Sequence, residues 1–154
     1  MPAEENVQVL LREKAMAPLL RLVQSPDRAL RSALVKLLVN LAGSDAPRRA
    51  LLDASALQLC LALLQTQDAD TQLSGAKLLT NLTLSGRVRK EVNEGPSMAV
   101  LRKLAEAPSG NKDVKEQLNH ALFNLKFPCT HAHRLSHLSR TTNNGAQTRG
   151  PTRR

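Results

Sequence analysis

Tryptophan and tyrosine are absent from this chain and phenylalanine occurs only twice, so aromatics make up 1 % of its 154 residues. A core built on large rings is excluded, and leucine must supply most of the packing. Leucine and alanine are good helix formers, whereas the β-branched and aromatic strand formers are scarce, so helices are expected. Cysteine is also sparse. Cys60 lies in an apolar stretch and Cys129 in a polar one, too few for a disulfide framework, which points to a reducing compartment such as cytoplasm or nucleus. The opening "MPAEENVQ" lacks the basic start and apolar core of a secretory signal, and no run approaches the roughly 18 apolar residues of a membrane span. Acidic side chains disappear partway along. All 13 stand before position 117, while six of the 22 cations follow it, so much of the +9 net charge belongs to the C-terminal end. Finally, there is no glycine-rich phosphate loop, no plausible Ser/His/Asp arrangement and no pair of carboxylates on one face. No enzyme activity and no cofactor or metal are expected.

What is present is a repeat. "LVKLLVNLA" (34–42), "GAKLLTNLT" (75–83) and "LNHALFNLK" (118–126) each set a polar residue four places before an asparagine followed by leucine. Asn40, Asn81 and Asn124 are 41 and 43 residues apart. At an offset of 41, Leu10 and Leu11 fall on Leu51 and Leu52, Leu20 on Leu61, Val23 on Leu64, and Lys36 on Lys77. At an offset of 40, Leu52 falls on Val92, Leu61 on Leu101 and Leu64 on Leu104; "EAPSGNKD" then lengthens a loop in the third copy. A gapless match over most of a unit is the signature of a repeat architecture.

Each unit reads as two short helices and a longer third. In the first, "VQVLLREK" and "MAPLLRLVQ" are followed by the breaker "SPD" and then "RALRSALVKLLVNLA". Ser25 before Pro26 is the expected start of the long helix, with Asp68 in the second copy and Ser109 or Asn111 in the third. Leu34, Leu37, Leu38 and Leu41 recur at helical spacing and predict one buried face.

The period, the three-helix layout and the "NL" near the end of each long helix resemble armadillo repeats, with HEAT repeats as the nearest alternative, over Asn6 to Phe127. The best single match is Leu51 to Leu82. The fold expected is all-α: a right-handed α-solenoid of three armadillo-like repeats with a disordered basic C-terminal tail. The divisions are a lead-in at 1–5, repeats at 6–43, 44–85 and 86–127, and the tail at 128–154. Two departures from the family pattern stand out. The glycine between first and second helices appears only as Gly95, with Lys14 and Ser55 elsewhere. The small residue six places before the asparagine is Gly75 in the second copy but Leu34 and Leu118 in the others, where packing is expected to be less regular.

Stacked units would leave the third helices side by side along a concave surface. The resemblance implies that Asn40, Asn81 and Asn124 bond the backbone of an extended peptide, since a side-chain amide offers both donor and acceptor. Helices sit about 8–10 Å apart and an extended chain advances about 3.3 Å per residue, so each unit would serve two or three ligand residues. Lys36, Lys77 and His120 lie one turn before each asparagine on the same face. Nuclear-import armadillo adaptors carry tryptophans there; a lysine ladder resembles the basic groove of catenin-like armadillo proteins and implies an acidic ligand. The candidate site is therefore Lys36, Asn40, Lys77, Asn81, His120 and Asn124. The competing reading is structural: asparagines that bond neighbouring backbone, and lysines on a solvated face.

The leading function is a non-enzymatic scaffold or adaptor for an extended, acidic protein segment. The alternatives are a co-chaperone or assembly-factor module, by analogy alone, and charge-driven association with nucleic acid through the tail. The first unit, with little before "VQVLLREK", is expected to leave an end face exposed and open to self-association. The sequon at Asn81-Leu82-Thr83 falls inside a predicted helix and is read as unmodified. Arg48-Arg49 and "RVRKEV" (87–92) are read as solvated helix ends, with no aromatic residues beside them to stack on bases. Cys129, His131, His133 and His137 match no usual zinc spacing and are read as solvated tail. The abrupt change of composition after Phe127 suggests a C-terminal segment standing in for further repeats.

Overall fold

The computed structural model describes residues 4–107 and 110–127. Ser109, the tail from 128, and its cysteine and histidines lie outside the described residues. Among the described residues there are nine helices and no strand, in three triads. The first is α1 (Glu4–Arg12), α2 (Met16–Leu22) and α3 (Arg28–Ala42); the second α4 (Asp45–Asp53), α5 (Ala56–Leu64) and α6 (Ala69–Leu82); the third α7 (Gly86–Glu94), α8 (Ser97–Glu106) and α9 (Lys112–Lys126). The architecture is an all-α solenoid. The long helices form its continuous layer, α3 against α6 and α6 against α9. No described helix is long and apolar enough to cross a membrane.

Each long helix starts at a side chain that accepts from its free N–H groups. Asp68 takes the N–H of Thr71 at 3.0 Å, and Asn111 that of Asp113 at 2.8 Å. In the first triad the cap is Asp27, which accepts from Ala29 and Leu30 at 2.8 and 3.2 Å, and not Ser25. Ser25 instead accepts the N–H of Asp27 at 3.2 Å, so Pro26 lies one residue before the cap.

Leucine builds the core as its abundance requires. One cluster runs through all three triads, and Leu38, Leu41, Leu51, Leu64, Leu78, Leu79, Leu82, Leu101, Leu118 and Leu125 are fully buried within it. Burying one such side chain stabilises the fold by about 1.5–3 kcal/mol. Leu34, Leu38 and Leu41 share the buried face of α3, while Leu37 is only half-buried.

The two departures from the repeat pattern have different physical outcomes. Lys14 and Ser55, in the links from first to second helix, adopt left-handed backbone with φ of 52° and 70°. A residue with a Cβ does this at a cost that glycine avoids. Gly95 is extended instead, with φ −108° and ψ 176°, as expected of a residue followed by proline. Glycine is needed there for space: a Cβ would stand 2.8 Å from the carbonyl oxygen of Glu91. At Gly75 a Cβ would meet that of Leu63 at 2.8 Å, so α5 rides directly on α6. Leu34 and Leu118 fill the same register with buried side chains, and α2 packs on α3 less closely than α5 on α6.

Candidate binding surface along the third helices

The six candidate residues sit in the second halves of α3, α6 and α9. Lys36, Lys77 and His120 are exposed and form no ion pair among the described residues. The asparagines differ from one another. Asn81 is half-buried and its Nδ2 donates to the carbonyl oxygen of Val39 at 2.9 Å. Asn124, also half-buried, donates from Nδ2 to Thr80 O and Thr83 Oγ1, both at 3.2 Å. Asn40 is exposed and has no such partner among the described residues.

The acceptors follow a rule. In both seams the asparagine bonds the carbonyl of the residue just before the asparagine of the preceding long helix. Those carbonyls belong to a last helical turn, where backbone acceptors lack intrahelical partners. At the end of α3 the Gly43 N–H turns to Asn40 O at 3.2 Å, and Asn81 supplies a donor to Val39. At the end of α6 the Thr83 hydroxyl donates to Thr80 O at 2.7 Å and Asn124 adds a second donor. The asparagine ladder therefore caps one helix from the next. One amide hydrogen of Asn81 is committed inward; its second hydrogen and both lone pairs of Oδ1 remain for other partners.

Other contacts that join the repeats had no signal in the sequence. The Thr80 hydroxyl lies 3.0 Å from Gln117 O across the α6–α9 seam. Arg28, the first residue of α3, pairs with Asp68, the cap of α6, at 2.9 Å. Arg87 of α7 pairs with Asp53, the last residue of α4. Asp68 is held below the usual carboxylate range, chiefly by the Thr71 hydroxyl and N–H, with smaller help from Arg28 and Arg31.

The basic clusters need correction. Arg48 is a buried structural residue: its Nε donates to Ala42 O at 2.9 Å and a terminal nitrogen to Gly43 O at 3.1 Å, tying the end of α3 to α4. Arg49 pairs with Asp45. The sequon is also closed to modification in this fold, because the Asn81 nitrogen faces Val39 and the Thr83 side chain is fully buried. Cys60 is buried, and burial pushes its thiol pKa up, so it stays neutral and unreactive. Among the described residues no cluster of three or more His, Cys, Asp or Glu side chains is placed to hold a metal. A recess of about 460 Å³ between α2 and α5, lined by Ala17, Leu20, Ala54, Leu59 and Ala62 among others, holds none of the six candidates.

No family model matches the sequence, and no curated protein matches it. Solved structures do match in fold. An engineered protein from a structural genomics consortium superposes with a TM-score of 0.70 at 23 % identity, over 79 % of this chain and 49 % of its own. Computationally designed armadillo repeat proteins for modular peptide recognition give 0.68 at 20 %, over 79 % of this chain and 51 % of theirs. A designed armadillo repeat protein in complex with the peptide (KR)4 gives 0.70 at 18 %, over 95 % and 64 %. This chain thus spans about half the length of the first two. The fold is an armadillo-like repeat solenoid.

Proposed function

We propose that this chain is a non-enzymatic interaction scaffold of the cytoplasm or nucleus whose third helices hold an extended, acidic protein segment. The observation that carries the reading is the state of the asparagines. Asn81 uses one hydrogen inward and keeps a donor and an acceptor for a ligand backbone, and exposed Asn40 keeps its whole amide. Lys36 and Lys77, one turn back and exposed, offer positive charge to acidic side chains, and exposed His120 offers a ring N–H donor at the same register. The designed armadillo protein solved with (KR)4 supports peptide holding by such a solenoid. The lysines here argue for a ligand of the opposite sign. Exposed hydrogen bonds are worth about 1 kcal/mol each, so three units bind weakly and salt loosens the contact.

The test is fluorescence anisotropy of the full chain with a Glu/Asp-rich peptide and, separately, (KR)4. Expected is binding of the acidic peptide alone, lost about tenfold or more in Lys36→Glu/Lys77→Glu. Asn40→Ala, which leaves both seams intact, should weaken it further. Equal binding of both peptides, or indifference to the lysine changes, overturns the reading.

A further inference from the structure

We propose that copies of this chain associate head to tail, the outer face of α9 in one copy meeting the outer face of α3 in the next, and so repeat between molecules the seam that joins repeats within one.

The α3–α6 seam has three parts, of which the asparagine bond recurs at α6–α9. An asparagine donates to the carbonyl of the residue before the previous asparagine, as Asn81 does to Val39 and Asn124 to Thr80. At α3–α6 alone, the cation at the first helical position, Arg28, meets the capping acid of the next long helix, Asp68; at α6–α9 those positions hold Ala69 and Asn111. Leu78 of α6, one turn before Asn81, is fully buried.

The two outer faces carry the two halves of the same set. On α3, Asn40 has its amide unengaged among the described residues, and Asp27 stands at the capping position, exposed. Leu30 is 40 % exposed, and Leu37, the counterpart of fully buried Leu78, is only half-buried. On α9, Lys112 occupies the first helical position as Arg28 does in α3. Phe123 stands at the register of Val39 and Thr80. Its carbonyl takes one donor, the N–H of Phe127 at 3.0 Å, and has a second lone pair for an asparagine. Its ring is 54 % exposed and packs on that of Phe127, 42 % exposed, with centroids 4.7 Å apart. Donor faces acceptor, acid faces base, and Leu30 and Leu37 face the two rings.

A second copy fits this face better than the chain's own residues 128–154. That segment carries cations and no acid, so it has no partner for Lys112. One position opposes the contact: at the register of Arg87 and Asp53 the outer faces present Glu5 and Glu94, a like-charged pair. The intermolecular seam is therefore weaker than the internal ones and reversible. Because the two faces differ, the contact does not close on itself in a dimer, and growth into longer stacks follows.

The experiment is sedimentation velocity of the full chain over a wide concentration range, with three variants whose fold is checked by circular dichroism and thermal midpoint. The wild type should grow in size with concentration. Phe123→Lys and Leu30→Lys should each stay monomeric, because each loses one face, and their equimolar mixture should give a heterodimer that grows no further. Glu5→Arg converts the like-charged pair to an opposite one and should tighten association about three- to tenfold. A wild type that stays monomeric throughout, a single-face variant that still self-associates, or a Glu5→Arg chain that associates no better overturns the proposal.

Discussion

The amide of Asn81 donates to the carbonyl oxygen of Val39, 42 residues earlier, at 2.9 Å. This bond explains why asparagine interrupts a leucine-rich helix: it completes the last turn of the helix before it. Removing it leaves a half-buried acceptor without its donor, so Asn81→Ala should lower unfolding stability by about 1–2 kcal/mol. Asn40→Ala, with no such partner, should change it by less than about 0.5 kcal/mol. Urea titrations compare the two; equal losses would show that the inter-repeat bond is not the cause.

Ser55 and Lys14 hold left-handed backbone that glycine adopts without steric cost. Ser55→Gly and Lys14→Gly should each raise stability by about 0.5–1 kcal/mol, the relief of strain exceeding glycine's loss of chain entropy. Gly75→Ala should go the other way by about 1–3 kcal/mol, since its Cβ collides with that of Leu63 in a packed seam. Thermal melts at matched concentration decide both signs.

Arg48 closes two carbonyls at the end of α3 and is buried. Arg48→Ala should cost about 2–3 kcal/mol, while the neighbouring exposed Arg49→Ala should cost under about 1 kcal/mol. Similar costs in chemical denaturation would contradict the distinction between a structural and a solvated arginine.

Asp68 gives stability a dependence on acid. Its carboxylate is favoured in the folded state by Thr71 and then by Arg28, so its folded pKa lies below the unfolded one. The stabilisation is present above the unfolded carboxylate's value of about 3.9 and is lost as pH falls through the folded one. Asp68→Asn should make the acid limb of a stability-versus-pH curve slightly shallower and leave its alkaline limb in place.

Cys60 contributes to the alkaline limb. Burial raises its folded pKa above that of the unfolded thiol, near 8.5. Its contribution is whole below that value and falls as pH rises past it, because only the unfolded chain then ionises. Cys60 should resist N-ethylmaleimide in the native protein and react once unfolded, read by peptide mass mapping. Rapid native labelling would place it outside the core.

The helices, their order and the leucine faces were legible because they depend on local spacing: Leu34, Leu38 and Leu41 share a face whatever lies across from it. The caps at Asp68 and Asn111 were legible for the same reason. At the first long helix two capping residues, Ser25 and Asp27, flank a proline, and the choice between them turns on backbone geometry that spacing does not carry. Arg48 read as a solvated end because nothing adjacent in sequence marks the carbonyls it closes.

The sequence alone determined the repeat, its period and an all-α solenoid, since leucine periodicity and turn residues act over a few positions. The tertiary structure alone decided that Asn81 and Asn124 brace the preceding repeat while Asn40 is left exposed, that Thr83 is buried, and that Lys14 and Ser55 take up left-handed backbone. Each of those outcomes turns on the packing of neighbouring helices, and for the asparagines the partner lies more than forty residues away, beyond the reach of any local pattern.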